Sequence, residues 1–463
     1  MTGEAAERAP KKGIWGWMLF DWAQQPYHTL IITFVFAPYF AAAVAPDPAT
    51  GQSLWGYASG IGGLIIALTS PVFGAIADAT GPRKPWVFAF SVLGAIGCWM
   101  LWYAVPGMQG FAFVMFAIVI GLVGMEFAAV FNNAMMPTLV PRAELGRLSG
   151  TAWGLGYLGG LVSLIIVLGL LAGQPGTGKT LFGIDPLFGL DPTAREGDRM
   201  SGPLTAVWFA IFVIPMFLWT PDVKRKASAA GAVSRGLSEL KETLVTLPKQ
   251  KSYFSFLMSS MIYRDALNAL YSFGGIYAAG VLGWTIVQIG IFGILANLTG
   301  AIGAWLGGIA DQKFGPKTVV SWSIVILTLC CLVIISTTKT HVLFMEMGAG
   351  EGGAAGGVSN IAFYIAGALI GAAGGAIQAA SRTLLVDQVE PEKVTEAFGL
   401  YALSGRATSF IAPLAIAVAT SFFASQAGFS AEDAQRIGVT PIVVLFMIGL
   451  ALLPWVKSRA YAH

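Results

Sequence analysis

The chain contains the stretch Gly74-Ala75-Ile76-Ala77-Asp78, followed after two residues by Gly81-Pro82-Arg83-Lys84. The pattern nearly recurs as Gly307-Gly308-Ile309-Ala310-Asp311, followed after three residues by Gly315-Pro316-Lys317. Each copy lies between two long apolar runs, which indicates a tight, charged turn between two membrane-spanning helices. The recurrence predicts that the chain consists of two related halves.

Composition places the chain among membrane proteins. Hydrophobic residues make up 56% of its 463 residues and charged residues only 11%, whereas soluble domains carry about 25% charged residues. Apolar windows long enough to cross about 30 Å of hydrocarbon recur along the chain, and they must be helices because lipid offers no partner for backbone N–H and C=O groups. We place twelve of them at residues 14–41, 53–78, 85–105, 109–137, 147–172, 203–220, 253–279, 285–310, 318–338, 359–386, 397–424 and 439–456. The predicted fold is all-α and integral to the membrane, with twelve transmembrane helices in two pseudo-symmetric six-helix bundles.

The longest connection between these windows divides the chain near its middle. Its leucines recur at helical spacing, which predicts an amphipathic helix on the membrane surface; they are Leu237, Leu240, Leu244 and Leu247. The predicted organisation is a cytoplasmic N-terminus, a six-helix bundle, a cytoplasmic linker, a second six-helix bundle and a cytoplasmic C-terminus, at residues 1–13, 14–220, 221–252, 253–456 and 457–463.

Basic residues set the expected orientation. Most of the 27 Lys and Arg residues fall on one side of the membrane when both termini are assigned to the cytoplasm, in agreement with the positive-inside rule. Richness in alanine and glycine points to a bacterial source, hence an inner (plasma) membrane. We expect a monomer, because one copy of a twelve-helix fold can enclose a complete path. Since the basic residues are spread over loops, we expect no nucleic-acid partner.

Two sequence features could indicate nucleotide binding or a disulfide or metal site, but their positions in the chain argue against these. Residues 173–180 fit the phosphate-loop pattern G-x-x-x-x-G-K-[ST], but that loop works between a strand and a helix, and here it follows a membrane helix. The three cysteines, Cys98, Cys330 and Cys331, lie in predicted helices without disulfide or metal-ligand spacing. We therefore expect no nucleotide, metal or cofactor, and no enzymatic activity.

Glycines at four-residue spacing predict close contacts between helices, because small residues let helix backbones approach each other in a membrane. The pairs are Gly56/Gly60, Gly156/Gly160 and Gly303/Gly307.

Polar side chains inside the apolar windows are candidates for a solute and proton path, because a charge at membrane depth is costly and usually faces a cavity or a partner. Asp21, Gln25 and His28 share one face of the first helix by their spacing. The full predicted path consists of Asp21, Gln25, His28, Glu126, Asn132, Asn133, Asp265, Asn268, Gln378 and Arg382.

Roles within this path follow from side-chain chemistry. Glu126 or Asp265 would carry a coupling proton, and Arg382 would pair with an anionic group or discharge an acid. Structural roles stay open for several of these residues: Asp21 as an interfacial cap, Glu126 as the partner of an arginine, and His28 as an ordinary hydrogen-bonding residue.

The repeated glycine-bounded turn resembles the signature of the major facilitator superfamily of secondary transporters. In that superfamily the turn joins helices 2 and 3 of each half. The resemblance implies that Asp78 and Arg83 form a cytoplasmic latch against helix 11, which favours the outward-open state. The predicted latch comprises Gly74, Asp78, Gly81, Arg83, Lys84 and, from the second copy, Asp311.

Three further groups of residues narrow the resemblance within the superfamily. They are Asp21-Trp22-Ala23 with residues 31–40, residues 131–137 with Ser149-Gly150 and residues 153–160, and residues 374–383 with residues 398–401. Together they resemble the vacuole-effluxer family, typified by the fungal autophagy-related vacuolar amino acid exporter and its bacterial relatives. The chain departs from this family at Gln24-Gln25-Pro26, where small residues are usual, and at Ala266, where glycine usually follows the aspartate.

Residues and resemblance together predict a secondary active transporter of a small polar solute, an amino acid or a related compound. The transporter would be proton-coupled and work by alternating access. Two alternatives stay open: a transporter of a larger amphiphile such as a peptide, siderophore or lipid headgroup, and a non-transporting membrane receptor or assembly factor. Solute-dependent flux distinguishes the last of these from the other two.

Overall fold

A computed structural model gives the fold of the chain. It describes residues 8–46, 48–174, 176–224, 231–282, 284, 286–338, 341–346, 357–409, 411–425 and 431–458. Parts of the predicted termini, at 1–7 and 459–463, and of the predicted linker, at 225–230, lie outside the described residues.

The first half of the chain forms long helices joined by short turns, except for a longer connection before α6. The helices are α1 Lys11–Val44, α2 Pro48–Thr80, α3 Lys84–Tyr103, α4 Ala112–Thr138, α5 Arg142–Leu171 and α6 Glu196–Trp219.

The second half follows a linker helix, Ala232–Thr246. Its helices are α7 Lys251–Tyr277, α8 Ile286–Phe314, α9 Pro316–Ser336, α10 Val358–Val386, α11 in two halves, Val394–Ala407 and Ile411–Ser425, and α12 Asp433–Trp455. Between α9 and α10, the two-residue strands β1 His341–Val342 and β2 Met345–Glu346 pair antiparallel.

Among the described residues, ten helices are long and apolar enough to cross a membrane. The other two predicted spans, α7 and α11, differ from these for separate reasons. Helix α7 carries the adjacent charges of Arg264 and Asp265. Helix α11 is interrupted between Ala407 and Ile411. Pro413 lies in the first turn of its second half, where a missing N–H is tolerated, but the ring blocks helical continuation from the preceding turn.

The chain forms two compact units. The first contains residues 1–142, 155–241 and 391–403, and the second contains residues 143–154, 242–390 and 404–463. The start of α5 therefore belongs to the second unit, and the start of α11 belongs to the first. The two-bundle prediction did not include this exchange of short segments.

Aromatic stacking and small-residue contacts form the core of the first unit. Rings of Phe90 and Phe127 stack with centroids 4.6 Å apart. A methyl group at Gly97 of α3 would lie 2.6 Å from the Cα of Gly121 in α4. No side chain fits in that gap, so glycine allows the two backbones to meet.

The predicted glycine contacts hold for two of the three pairs. A methyl group added at Gly156 would lie 3.3 Å from the Asp21 carbonyl oxygen, and one added at Gly307 would lie 2.6 Å from the Ala376 Cβ. The prediction is wrong for Gly56 and Gly60, where an added methyl group would meet no atom of the described residues within 4 Å. Four-residue spacing alone does not show which face of a helix is packed.

The linker helix does not place its leucines on one buried face. Leu240 is buried, whereas Leu237 and Leu244 are 43% and 47% exposed. Gly236 lies against α2, where a methyl group would be 2.9 Å from the Ala75 carbonyl oxygen. One face of this helix thus packs on the first unit beside the predicted latch.

Candidate functional site

The polar face predicted on α1 lies at a change in helix geometry. The α-helical part of α1 ends at Pro26, and a π-helical segment, Tyr27–Phe34, follows it. Proline has no N–H for the helix ladder, and π turns recur at functional sites. Asp21, Gln25 and His28, hereafter the α1 polar face, are all partly exposed around this change.

Two side-chain hydrogen bonds to α4 fix the rotation of α1. The Gln24 amide donates to the carbonyl oxygen of Met125 at 2.8 Å. The Trp17 indole N–H donates to the carbonyl oxygen of Asn132 at 2.7 Å. Both donors are buried, so a rotation of α1 would leave them unpaired at a cost of about 1–3 kcal/mol each. The α1 polar face is therefore held in one direction.

Glycines of α5 bring that helix close to the same part of α1. A methyl group at Gly159 would lie 2.7 Å from the Trp22 carbonyl oxygen, and one at Gly160 would lie 2.9 Å from Gln25 Cγ. Larger residues would push α1 away from α5. The glycines thus position the α1 polar face by their lack of a side chain.

Helix α4 separates the polar residues that the sequence placed together. Glu126 and Asn133 are partly exposed. Asn132 is fully buried, and among the described residues neither atom of its side-chain amide has a hydrogen-bond partner. Asn132 therefore lies in the packed interior, whereas the side chain of Asn133 is partly exposed.

Aromatic residues near the α1 polar face pack within the first unit. Trp22 stacks on Trp208 of α6 with ring centroids 5.5 Å apart, and the Trp208 indole donates to the Trp22 carbonyl at 3.1 Å. The ring of Tyr27 is buried and meets His28 edge to face at 5.5 Å. Tyr27 thus limits the movement of His28.

In the second unit, Asp265 of α7 caps the second half of α11. Its Oδ2 accepts a hydrogen bond from the Ala412 N–H at 2.8 Å. Asp265 is only 3% exposed, and its Oδ1 has no hydrogen-bond partner among the described residues. A carboxylate at a helix N-terminus is favoured because it meets unpaired N–H groups and the positive end of the helix dipole.

Two residues close to Asp265 on α7, Arg264 and Asn268, lie in different surroundings. The guanidinium of Arg264 packs against Gly405, where a methyl group would lie 2.6 Å from it. Asn268 is exposed, and its carbonyl accepts a hydrogen bond from the Ser272 hydroxyl at 2.9 Å. Arg264 and Asp265 are adjacent, yet each contacts a different half of α11.

Helix α10 contributes one partly exposed residue and one buried residue. Gln378 is partly exposed, whereas Arg382 is 3% exposed. The Arg382 guanidinium donates to the Ser149 hydroxyl at 3.0 Å and to the Ser149 carbonyl at 2.7 Å. It also lies over the Trp153 ring, 5.2 Å from the centroid. Arg382 thus holds the start of α5 within the second unit.

Asp78 and Arg83 of the predicted latch form a buried network with the start of α11 in the first unit. One carboxylate oxygen of Asp78 accepts hydrogen bonds from the Thr395 hydroxyl at 2.6 Å and from Arg83 at 3.0 Å. The other accepts the Glu396 N–H at 2.8 Å, in the first turn of α11. Gly74 allows this approach, since a methyl group there would lie 2.6 Å from the Thr395 carbonyl oxygen.

Turn geometry and a second carboxylate fix the start of α3. Gly81 has φ +102°, a left-handed conformation that favours glycine. Asp222 then accepts the backbone N–H groups of Arg83 at 3.0 Å and Lys84 at 2.9 Å. The Lys84 ammonium donates to the Phe217 carbonyl at 2.9 Å. Asp222 was missed by the sequence analysis, because nothing at its position in the linker indicates which helix it caps.

The second copy of the turn uses its aspartate differently. Asp311 is buried against Gly146 at the start of α5, where a methyl group would lie 2.7 Å from Asp311 Oδ2. Lys317, the base of this copy, donates to the Pro454 carbonyl at 3.4 Å. In both copies the aspartate of the turn lies against the start of another helix. The base differs, because Arg83 pairs with the aspartate of its own turn, whereas Lys317 contacts the Pro454 carbonyl.

Two cavities in the second unit flank the second half of α11. One, about 270 Å³, is lined by Phe273, Tyr277, Ile416, Thr420, Ser421, Gln435 and Val439. The other, about 360 Å³, has an almost wholly apolar lining that includes Ala415, Phe423 and Leu445. Sequence reasoning missed Thr420, Ser421 and Gln435, because single polar residues near helix ends carry no distinctive signal.

Comparison with known families decides the identity of the fold and its general activity. The family described as vacuole effluxer Atg22 like matches residues 45–460. The chain belongs to the vacuole effluxer Atg22-like family. The resemblance noted from residues of α1, α4, α5, α10 and α11 is thereby confirmed.

One relative of this Atg22-like protein covers nearly the whole chain. It is the uncharacterized MFS-type transporter YxiO of Bacillus subtilis (strain 168), 24% identical over 448 residues, which are 96% of this chain and 94% of the relative.

Solved structures share the fold of the Atg22-like chain. The transporter FucP in its outward conformation matches with a TM-score of 0.68 at 15% identity, over 97% of this chain and 99% of that chain. The human organic anion transporter MFSD10 matches with a TM-score of 0.67 at 13% identity, over 96% and 99%. The twelve-helix major facilitator fold is confirmed. The protein is an integral membrane secondary transporter and not an enzyme.

Proposed function

We propose that this Atg22-like transporter moves a small polar solute, an amino acid or a related compound, in exchange with or together with protons, by alternating access. The observation that carries the proposal is the buried carboxylate of Asp265, with one oxygen bonded to the first turn of a discontinuous helix and the other without a partner among the described residues. A membrane-buried acid at a broken helix is typical of coupling sites in transporters.

Proton binding at Asp265 would change its hold on α11. Deprotonated Asp265 carries a full negative charge toward the Ala412 N–H and the helix dipole. Protonation removes that charge and weakens the bond. The second half of α11 also lines the 270 Å³ cavity through Ile416 and Thr420. Proton binding and a change in the shape of this cavity would therefore be coupled.

Polar groups in each unit are suited to a zwitterionic solute. The α1 polar face, Glu126 and Asn133 offer carboxylate, amide and imidazole groups in the first unit, and Gln378 and Asn268 offer amides in the second. Amides both donate and accept hydrogen bonds, so they can meet an ammonium and a carboxylate group. Arg382 would have to leave Ser149 to bind an anionic group, which ties its release to a conformational change.

Similar proteins support this proposal in general terms. FucP, which shares the fold, is a fucose:proton symporter. The family is described as a vacuole effluxer, and its fungal members suggest amino acids. Proton coupling and amino acids are therefore the first hypotheses to test for this chain.

The 360 Å³ cavity favours one alternative, a larger amphiphile. Its lining is almost wholly apolar, with Ala415, Phe423 and Leu445 among the residues around it. An apolar tail would fit such a surface, whereas a free amino acid would leave its charges unpaired there.

The test uses purified protein in liposomes that contain a pH-sensitive dye, exposed to pools of amino acids, peptides and organic acids. We expect an amino-acid pool to move protons, and we expect Asp265→Asn or Glu126→Gln to abolish that movement. Glu239→Gln, an exposed acid of the linker helix, is the control that should leave it unchanged. Movement driven only by peptides or amphiphiles would support the alternative. Lack of flux with every pool, while control transporters work, would contradict the proposal and favour a receptor or assembly factor.

A further inference from the structure

The connection between α5 and α6 carries a cluster of exposed apolar side chains. Five large hydrophobic residues are each at least 40% exposed within eight positions, and Phe188 is 86% exposed. They are Leu181, Phe182, Ile184, Leu187 and Phe188, hereafter the apolar loop. Exposed apolar surface of this density marks an interaction site.

Backbone contacts fix the apolar loop at the level of the last turn of α5. The Leu181 N–H donates to the Leu168 carbonyl at 2.9 Å, which satisfies an otherwise unpaired carbonyl at the helix end. The Phe182 ring packs on Gly169 in the final π turn of α5, where a methyl group would lie 2.8 Å from Phe182 Cζ. The loop thus lies beside the end of a membrane-spanning helix.

The apolar loop continues a stripe of exposed apolar residues along α5. Leu158, Val162 and Ile165 are 39%, 38% and 46% exposed, and their spacing puts them on the same helix face as Gly169. This face lies opposite the one through which Gly156 and Gly160 contact α1. This exposed apolar face is turned away from α1, and its side chains are suited to contact lipid.

Backbone strain adds a second reason to assign a function to Phe188. Its φ of +61° is a left-handed conformation that bulky residues rarely adopt. Glycine or asparagine would be favoured at this position, yet the chain has an exposed phenylalanine there. This suggests that the Phe188 side chain serves an interaction and not the stability of the fold.

The charge pattern of the connection changes after the apolar loop. Residues 180–190 contain one charged residue, Asp185, and it pairs with Lys179 at 2.7 Å. The following residues are polar and closely paired: Thr193 donates two hydrogen bonds to Asp191, which lower the pKa of that carboxyl, and Arg195 pairs with Asp198 at 2.6 Å. The apolar loop is therefore a separate surface from the polar part of the connection.

We propose that the apolar loop inserts into the membrane interface and anchors the α5–α6 connection to the leaflet at the C-terminal end of α5. The loop lies level with the end of a spanning helix, where Phe and Leu side chains can bury themselves at the boundary between headgroups and acyl chains. Its continuity with the exposed apolar stripe of α5 extends one apolar surface from the loop along a membrane-spanning helix. Immersion of several apolar side chains in the interface would also offset the strain at Phe188.

Site-directed spin labelling in liposomes tests the anchor. Cysteines introduced as Phe188→Cys and Leu181→Cys would be labelled, with Thr177→Cys, an exposed position in the same connection, as the matched control. Cys98, Cys330 and Cys331 are buried, and wild-type protein treated with the same label gives the background. The measurement is the collision rate of each label with oxygen, which dissolves in lipid, and with a water-soluble nickel chelate.

We expect the ratio of oxygen to chelate accessibility to be several-fold higher at positions 188 and 181 than at position 177. Chelate accessibility at 188 and 181 equal to that at 177 would place the loop in water and overturn the proposal. Low accessibility to both reagents would mean that protein covers the loop and would also overturn it. Transport need not be known for this result, so it stands apart from the proposed solute and proton coupling.

Discussion

Single glycines control how closely the polar face of α1 approaches α5. At Gly160 the space for a side chain is taken by Gln25 Cγ, 2.9 Å from the position of a methyl group. At Gly60, by contrast, an added methyl group would lie more than 4 Å from every atom in the part of the chain that the structure describes. The two residues are identical, and only the neighbours of Gly160 make its lack of a side chain important for the position of α1.

Gly160→Ala should therefore displace α1 and impair transport. Overpacking at a close helix contact typically destabilises by about 1–3 kcal/mol, so the melting temperature in detergent should fall by several degrees. Gly60→Ala is the matched control and should change neither melting temperature nor flux. Equal effects of the two substitutions would show that the α1–α5 contact does not position the site.

A buried ion pair defines the contact of Asp78 with the start of α11. Asp78 accepts hydrogen bonds from Arg83, Thr395 and the Glu396 N–H. Asp78→Asn removes the charge and leaves the buried Arg83 without its counter-ion, so we expect a loss of stability of about 3 kcal/mol.

A double-mutant cycle separates this ion pair from general damage. The combined variant Asp78→Asn/Arg83→Gln should lose less stability than the sum of the two single variants, measured by thermal unfolding in detergent. Additive losses would mean that the two residues contribute independently.

Many of the features that were not predicted from the sequence lie at helix ends. The twelve predicted spans coincide with helices of the structure, and for ten of them, among the described residues, apolar length alone identifies a membrane-spanning segment. The break in α11 was missed, although Pro413 could have indicated it, because a proline in an apolar run is tolerated in membrane helices. Asp222 and Asp265 were missed as helix caps because their partners, Lys84 and Ala412, are over a hundred residues away.

The cap on α3 gives a prediction at a helix end. Asp222→Ala removes the acceptor for the N–H groups of Arg83 and Lys84, so α3 should fray at its start, with a loss of about 1 kcal/mol. Hydrogen–deuterium exchange of the peptide around residues 83–88 should become faster. Asp222→Asn, which keeps an acceptor oxygen, should show a smaller change. Unchanged exchange in the alanine variant would mean that the cap is not formed in the membrane.

For the chain as a whole, the fold could be predicted from the sequence, but the arrangement of the site could be predicted only in part. The repeated Gly-Asp-Gly turn and the apolar windows predict twelve helices in two halves, and the resemblance to the superfamily adds the major facilitator fold. The ten predicted path residues are not equivalent: the α1 polar face, Glu126, Asn133, Asn268 and Gln378 are at least partly exposed, whereas Asn132, Asp265 and Arg382 are buried. Helical spacing gives the side of a helix, but burial depends on neighbours that are distant in sequence.

The beginnings of α5 and α11 have a common role at the scale of the whole molecule. Each packs with the unit that contains the other half of the sequence, and each meets an aspartate from one of the repeated turns. Asp78 contacts Glu396 in α11, and Asp311 contacts Gly146 in α5. We propose that breaking these contacts accompanies the change between inward-open and outward-open states.

The central claim is that Asp265 couples proton movement to solute movement. The most direct test compares two assays of Asp265→Asn in liposomes, once a transported solute has been identified: solute exchange at equal pH, and solute accumulation driven by a pH gradient. We predict that exchange persists, because asparagine can still accept the Ala412 N–H, whereas accumulation is lost, because asparagine cannot bind the proton. Accumulation at the wild-type level in Asp265→Asn would contradict the claim and transfer the coupling role to another acid, with Glu126 the next to test.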